Sequence, residues 1–320
     1  MVAGGNTFNM QATRLAGLTS LPAILRCQLI DAISPLLPAP DRHQAGVEFP
    51  FREKEFRFIA ELMHAATGIK LNTSKMNMVY ARLVRRLRDL GLPSFAAYCA
   101  LLRGPDVEEE MGHLFNALTT NLTRFFREPH HFDHLRNVVV PAILSRSNRS
   151  RRIRIWSAGC SSGEEPYSIA MVLAEQIPNI DQWDARILAT DLDSSMLATG
   201  SAGIYPLGAA TDIGRGRLDR HFIRTGGSLR VEERLRRLIA FKPLNLVDPW
   251  PMKGPFDAIF CRNVMIYFDS ETKTSLIRRL SGLIAPGCWF YVGHSESLLE
   301  PGSDLVPDGR TVYRKEVACH

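Results

Sequence analysis

Residues 153–156, Ile-Arg-Ile-Trp, form a short apolar run that leads straight into the small-residue turn Ser157-Ala-Gly-Cys-Ser-Ser-Gly163, and a helix-forming stretch opens at Glu164. A buried strand, a tight turn and a helix in that order restrict the chain to α/β folds, because a strand apolar on both faces needs helices above and below it. The theme recurs downstream. Residues 185–190, 238–241, 256–260 and 289–292 read as further strands with helical segments between most of them, and 311–314 reads as a last one. The expected fold is a mostly parallel, doubly wound, Rossmann-like sheet. Residues 204–237 break the alternation: they are rich in Gly and Arg, and Leu229-Arg-Val231 reads as a short strand, so a small β insertion is expected there.

The sequence ahead of this region follows a different period. Phe56, Ile59, Leu62 and Met63 recur at helical spacing up to Thr67-Gly68, and Met76, Val79, Leu83, Leu87 and Leu90 mark the apolar face of a second helix ended by Gly91. Residues 95–102 and 108–118 add two shorter helices. Three parts are expected: a flexible extension over 1–49, a basic all-helical domain and linker over 50–119, and the α/β domain over 120–316. The charge is unevenly placed. The chain carries +6 overall, and residues 50–103 alone hold ten Lys/Arg against four Asp/Glu, so the whole excess sits in that one segment of about fifty residues. Lys75, Arg82 and Arg86 share one stripe of the second helix, flanked by Arg85 and Arg88. Such a field either steers an acidic partner or is simply a solvated face.

Gly159, Ser161 and Gly163 alternate across the turn, where small residues let backbone approach a ligand at the carboxyl edge of the first strand. No Gly-Lys-Ser/Thr follows, which excludes a P-loop. Glu164 and Glu165 suit the helix dipole, would repel phosphate, and equally suit a ligand bearing an ammonium group. Asp191 ends the second strand, where an acid commonly takes ribose hydroxyls; the competing role is a helix cap, which Asp193 or Ser194 can fill instead. An adenosyl ligand with an amino-acid tail and no phosphate is S-adenosylmethionine.

Several longer motifs stand in register. They are Thr67-Gly-Ile69, Arg82-Leu-Val-Arg-Arg-Leu-Arg88, Thr120-Asn-Leu-Thr-Arg-Phe-Phe-Arg-Glu128, the turn up to Ser168, Phe256-Asp-Ala-Ile-Phe-Cys-Arg-Asn-Val-Met-Ile-Tyr-Phe268, Gly293-His-Ser-Glu-Ser297 and Thr311-Val-Tyr313. From Phe51 to Glu316 the chain thereby resembles the CheR family, the chemoreceptor glutamate methyltransferases. The resemblance implies an S-adenosylmethionine-dependent methyltransferase fold behind a small helical domain. It implies that Asn121, Thr123 and Arg127 contact the cofactor's methionine end, with Gly159 in the turn beside it. Glu164, rather than Glu165, would bind the ammonium group and Asp191 the ribose. Asn245 and Leu246 would flank the adenine, and Arg262 and Asn263 would close the pocket. Arg127 and Tyr267 are the implied catalytic residues, beside the carboxylate and the transferred methyl. Lys75, Arg82, Arg85 and Arg86 would dock acidic receptor helices. The product would be S-adenosylhomocysteine.

A glutamate side chain, with pKa about 4.3, is already an anion at neutral pH, so transfer to it needs no general base. Alignment and exclusion of water remain, and positioning of this kind supplies roughly 7–11 kcal/mol in favourable cases. Two rivals were weighed. A nucleic-acid methyltransferase would carry a proline-containing motif where this chain has Arg262-Asn-Val-Met-Ile-Tyr267, and surface aromatics interleaved with its basic residues. A cofactor-binding signalling protein without turnover fits poorly with the intact set Asn121, Arg127, Asp191, Asn263 and Tyr267. Arg224-Thr-Gly-Gly-Ser-Leu-Arg-Val231 is shorter than the loop with which some family members grip a receptor C-terminal peptide, which argues against such a tether. His130-His131 reads as a solvated pair and no metal site is expected. Six scattered cysteines without a C-x-x-C pair, no long apolar run and no secretory pattern point to a cytoplasmic protein that does not insert into a membrane, with recruitment to receptor arrays left open.

Overall fold

A computed structural model describes residues 48–105, 107–147, 150–296 and 304–317. The extension expected over 1–49 therefore lies outside the described residues except for Glu48 and Phe49, as does Ser297 of the C-terminal motif. The chain divides into two compact units, residues up to 62 with 71–118, and residues 63–70 with 119 onward.

The first unit is built from the helices Glu53–Thr67, Met76–Asp89, Phe95–Leu101 and Val107–Leu118, the first of which passes into the second unit at Met63. Phe56, Ile59, Val79, Leu83, Leu87, Phe95 and Leu114 are buried, as their 3.6-residue spacing requires. Ser94 caps Phe95–Leu101 by accepting the Ala97 N–H at 3.2 Å. At the centre Glu110, 4% exposed, accepts the Tyr98 hydroxyl at 2.7 Å and the Arg86 guanidinium through Nε and Nη2 at 3.1 and 2.7 Å. Arg82 donates to the Leu118 carbonyl at 3.0 Å. Two residues of the expected docking stripe, Arg82 and Arg86, thus tie the helices together, because a long side chain on a helix flank reaches a neighbour's carbonyls and carboxylates. Lys75 and Arg85 are exposed.

The second unit holds a seven-stranded sheet. Its strands are β1 (Arg152–Ala158), β2 (Asp184–Asp191), β6 (Ile239–Pro243), β7 (Phe256–Cys261), β8 (Ile284–Val292), β9 (Leu305–Gly309) and β10 (Val312–Lys315), in the order β6-β2-β1-β7-β8-β10-β9. The first five run parallel, and β10 pairs antiparallel with both β8 and β9. Parallel central strands read as continuous apolar runs, and β7 is buried at every residue. The sequence pattern missed β9, a five-residue edge strand interrupted by Pro307. The strand order reverses at β1, so the loops after β1 and β7 lie beside each other at the carboxyl edge, where open α/β sheets bind ligands. The insertion is a three-stranded antiparallel sheet, β3 (Ile204–Pro206), β5 (Ser228–Val231) and β4 (Phe222–Thr225) in that order. Only β5 had a readable apolar pattern.

Four described cysteines, Cys99, Cys160, Cys261 and Cys288, are free and buried. Burial raises every one of their thiol pKa values, that of Cys99 to about 12.

Candidate functional site

The turn after β1 is held by glycine and by the next strand. Gly159 has φ +78°, and a Cβ there would stand 2.3 Å from Val264 Cγ2, so only glycine fits. The close approach is thus to Val264, a residue of the turn after β7. Gly159 and Cys160 donate their N–H groups to the Thr190 carbonyl at 2.8 and 2.9 Å. Asp191, 9% exposed, accepts Ser161 N–H at 2.7 Å on Oδ2 and Asp193 N–H at 2.9 Å on Oδ1. Burial raises its pKa despite these bonds. One carboxylate therefore fixes both turns, and a third backbone bond comes from Leu192; a carboxylate with about four acceptor sites keeps room for a further donor. Asp193 is the helix cap: its Oδ1 accepts the Ser195 and Met196 N–H groups at the head of Ser194–Ala202.

The helix Glu164–Gln176 separates its two acids by partner. Glu165 accepts Ser157 Oγ at 2.7 Å and Arg262 Nη1 at 2.9 Å. Glu164 is 8% exposed; its carboxylate accepts Ser162 Oγ at 2.7 Å and its own backbone N–H, and among the described residues it faces no cation. Burial raises its pKa. An ionised acid held this way lacks a counter-charge that a cationic ligand supplies.

The segment 119–128 is pinned to the ends of several strands. Asn121 Nδ2 donates to Asp193 Oδ2 at 2.6 Å, and Ser161 Oγ donates to the Asn121 carbonyl at 2.8 Å. Ser168 Oγ accepts Phe126 N–H at 2.9 Å and donates to the Glu164 carbonyl at 2.6 Å, joining the segment to the acid-bearing helix. Arg127 Nη1 folds back on the Leu122 carbonyl at 2.8 Å. Arg127 has no acidic partner among the described residues. Thr123 is half-buried.

After β7 the chain turns through Asn263, φ +58°, into the short 3-10 turn Met265–Tyr267. Glu296, 7% exposed, shapes this turn by accepting N–H groups from Gly293, Asn263 and Ile266 at 2.6, 2.9 and 3.2 Å. Tyr267 is half-buried, and its carbonyl accepts Lys70 N–H at 2.9 Å. The Arg262 guanidinium is buried against Glu165 and Glu128. Asn245 Nδ2 donates to the Ala66 carbonyl at 2.7 Å, and Leu246 belongs to the core.

His131 is fully buried, contrary to the solvated pair read from sequence, because Phe132 and Leu135 on the same helical stretch carry it into the core. Glu128, His130 and His131 bring ligand-type atoms within 4.8 Å of one another. Glu128 Oε2 lies 3.3 Å from Arg262 Nη2, so that carboxylate already faces a cation of the chain. Burial pushes the Glu128 pKa up, but Arg262 and two hydrogen bonds from His294 outweigh it and hold it at about 2. Burial and the Arg262 charge depress His131 to about 3, so it is neutral. Glu128, Glu296, Ser168 and Asp193 were not singled out as site residues from sequence. Glu296 lay within a quoted motif, yet neither period nor spacing marks an acid whose partners are backbone N–H groups.

The parallel sheet, with a buried acid opening the helix after β1 and another closing β2, fits an α/β methyltransferase that binds S-adenosylmethionine. Residues 121–306 match the family profile described as CheR methyltransferase, SAM binding domain, and residues 54–119 that described as CheR methyltransferase, all-alpha domain. A probable chemotaxis protein methyltransferase of Rhizobium etli is 41% identical over 258 residues, which cover 79% of this chain and 96% of that protein. Chemotaxis protein methyltransferase 2 of Pseudomonas aeruginosa is 42% identical over 271 residues, 83% of this chain and 94% of that one. The chemotaxis protein methyltransferase of Escherichia coli is 42% identical over 271 residues, 82% and 90% of the two chains. The chain belongs to the CheR methyltransferase family.

Proposed function

We propose that the chain transfers a methyl group from S-adenosylmethionine to the side-chain carboxylate of glutamates in bacterial chemoreceptors, leaving a methyl ester and S-adenosylhomocysteine. The observation that carries the cofactor assignment is the buried Glu164 carboxylate, which faces no cation among the described residues. Its natural partner is the α-ammonium group of the methionine end. Asp191 takes the ribose with the acceptor capacity that its backbone bonds leave open, and Asn121 and Thr123 line the methionine end. When bound, S-adenosylmethionine supplies an electrophilic methyl group on sulfur.

The chain's own residues supply placement. Arg127, without an acidic partner among the described residues, binds and orients carboxylate, and Tyr267 shapes the approach to the methyl. No residue need move a proton, since the acceptor is an anion at neutral pH. Arg127→Ala is therefore expected to abolish transfer. The relatives' names, chemotaxis protein methyltransferase, support receptors as the acceptor. The exposed Lys75 and Arg85 suit their acidic helices, while Arg82 and Arg86 have structural partners.

The test uses methyl-labelled S-adenosylmethionine with receptor-enriched membranes and, separately, with RNA. Label in receptor that alkali releases as methanol is the expected result. Alkali-stable label, label in RNA, or cofactor binding without transfer to any receptor refutes the assignment.

A further inference from the structure

Arg262 follows directly on β7, and its side chain is 2% exposed. Its guanidinium joins two segments far apart in sequence. Nη1 donates to Glu165 Oε2 at 2.9 Å. Nη2 donates to the Arg127 carbonyl and lies 3.3 Å from Glu128 Oε2. A planar fork can hold acceptors from two segments in one fixed geometry, whereas an ammonium group on a flexible stem acts as a point charge.

The backbone that it holds is strained. Phe126 and Glu128 have φ values of +52° and +58°, in the left-handed region that non-glycine residues resist. Such conformations persist only where the surroundings over-determine them. Here Ser168 Oγ grips the Phe126 N–H at 2.9 Å, and Arg262 grips the carbonyl of the residue between the two strained ones. The side chain that leaves this clamped peptide is Arg127, whose Nη1 is in turn fixed by the Leu122 carbonyl at 2.8 Å.

We propose that Arg262 is a positioning residue: with Glu165 and Glu128 as its counter-charges, it fixes the Arg127 peptide and so sets the direction of the Arg127 guanidinium. Loss of the fork leaves Arg127 present but misdirected, and small misplacements of an orienting group reduce turnover steeply. The inference rests on the role given to Arg127 above.

Arg262→Lys keeps a positive charge between the two acids and removes the fork. With receptor-enriched membranes as acceptor, it is expected to lower kcat/KM for S-adenosylmethionine at least tenfold in the wild-type background. In an Arg127→Lys background the same change is expected to lower it less than threefold, because the group being positioned is already altered. Equal losses in the two backgrounds, or a loss below threefold in the wild type, overturn the proposal. A residue that served stability alone would give equal losses. If Arg262→Lys fails to fold, Glu165→Gln loosens the fork from its other side, and the same comparison decides. Wild-type protein that transfers no methyl removes the reading of Arg127 and this proposal together; active wild type with equal losses removes this proposal alone.

Discussion

Glu164→Gln separates ligand binding from folding. The substitution preserves shape and an acceptor for Ser162 Oγ, which donates at 2.7 Å, and removes only the charge. A hydrogen bond to a charged group is worth about 1.5–3 kcal/mol, so affinity for S-adenosylhomocysteine should fall roughly 10- to 150-fold. The effect on the free protein has the opposite sign. Burial raises the Glu164 pKa above the ordinary 4.5, so the folded state binds this proton more readily than the unfolded state. Above the raised pKa the ionised group lowers stability, and the neutral amide relieves that penalty. The thermal midpoint of ligand-free Glu164→Gln at neutral pH should therefore match or exceed that of the wild type. Isothermal titration with S-adenosylhomocysteine and a melting curve without ligand read both quantities. Wild-type affinity should also weaken as pH is lowered towards the raised pKa, beginning above 4.5. An unchanged dissociation constant in the variant, or weaker binding only in step with a lower midpoint, would refute the assignment of the ammonium group to Glu164.

Gly159→Ala combines a left-handed φ of +78° with a 2.3 Å approach to Val264 Cγ2, and should destabilise by about 2–4 kcal/mol in denaturant unfolding; adding Val264→Ala should recover only the steric part. Lys75→Glu with Arg85→Glu should weaken methylation of receptor and leave cofactor affinity and melting unchanged, whereas Glu110→Ala, which strands Tyr98 and Arg86, should lower stability by about 3 kcal/mol. Acid should unfold the chain early. Glu128, and Glu175 on the helix Glu164–Gln176, which pairs with Arg217 and Arg136 at 2.8 and 3.3 Å, have pKa values of about 2 against about 4.5 when unfolded, so the stability they contribute above 4.5 is lost as pH falls to 2. His131, at about 3 when folded, loses its share between 6.5 and 3. Glu175→Gln should make the acid-unfolding profile shallower, and an unchanged profile would show that Glu175 does not contribute.

The alternation of strands and helices was legible because parallel strands buried on both faces are plain apolar runs, as 256–260 is. The small-residue turn and its two acids were legible as well. Their division of labour was not, since choosing between Glu164 and Glu165 requires knowing that Arg262, 97 residues on, reaches one of them. The same holds for the helical stripe. Periodicity placed Arg82 and Arg86 on one face, but not the Leu118 carbonyl and the Glu110 carboxylate that meet them. Strands β3, β4 and β9 escaped because three to five residues at a sheet edge carry too few alternations to register.

The buried thiols give the chain an internal record of its own opening. With their pKa values raised, Cys99, Cys160, Cys261 and Cys288 are poor nucleophiles while the fold is closed. Alkylation at any one of them thus reports exposure of its neighbourhood. Cys99 lies in the helical unit and the other three in the sheet unit, so peptide mapping after a brief pulse of reagent would time the loosening of each unit separately, with no engineered label.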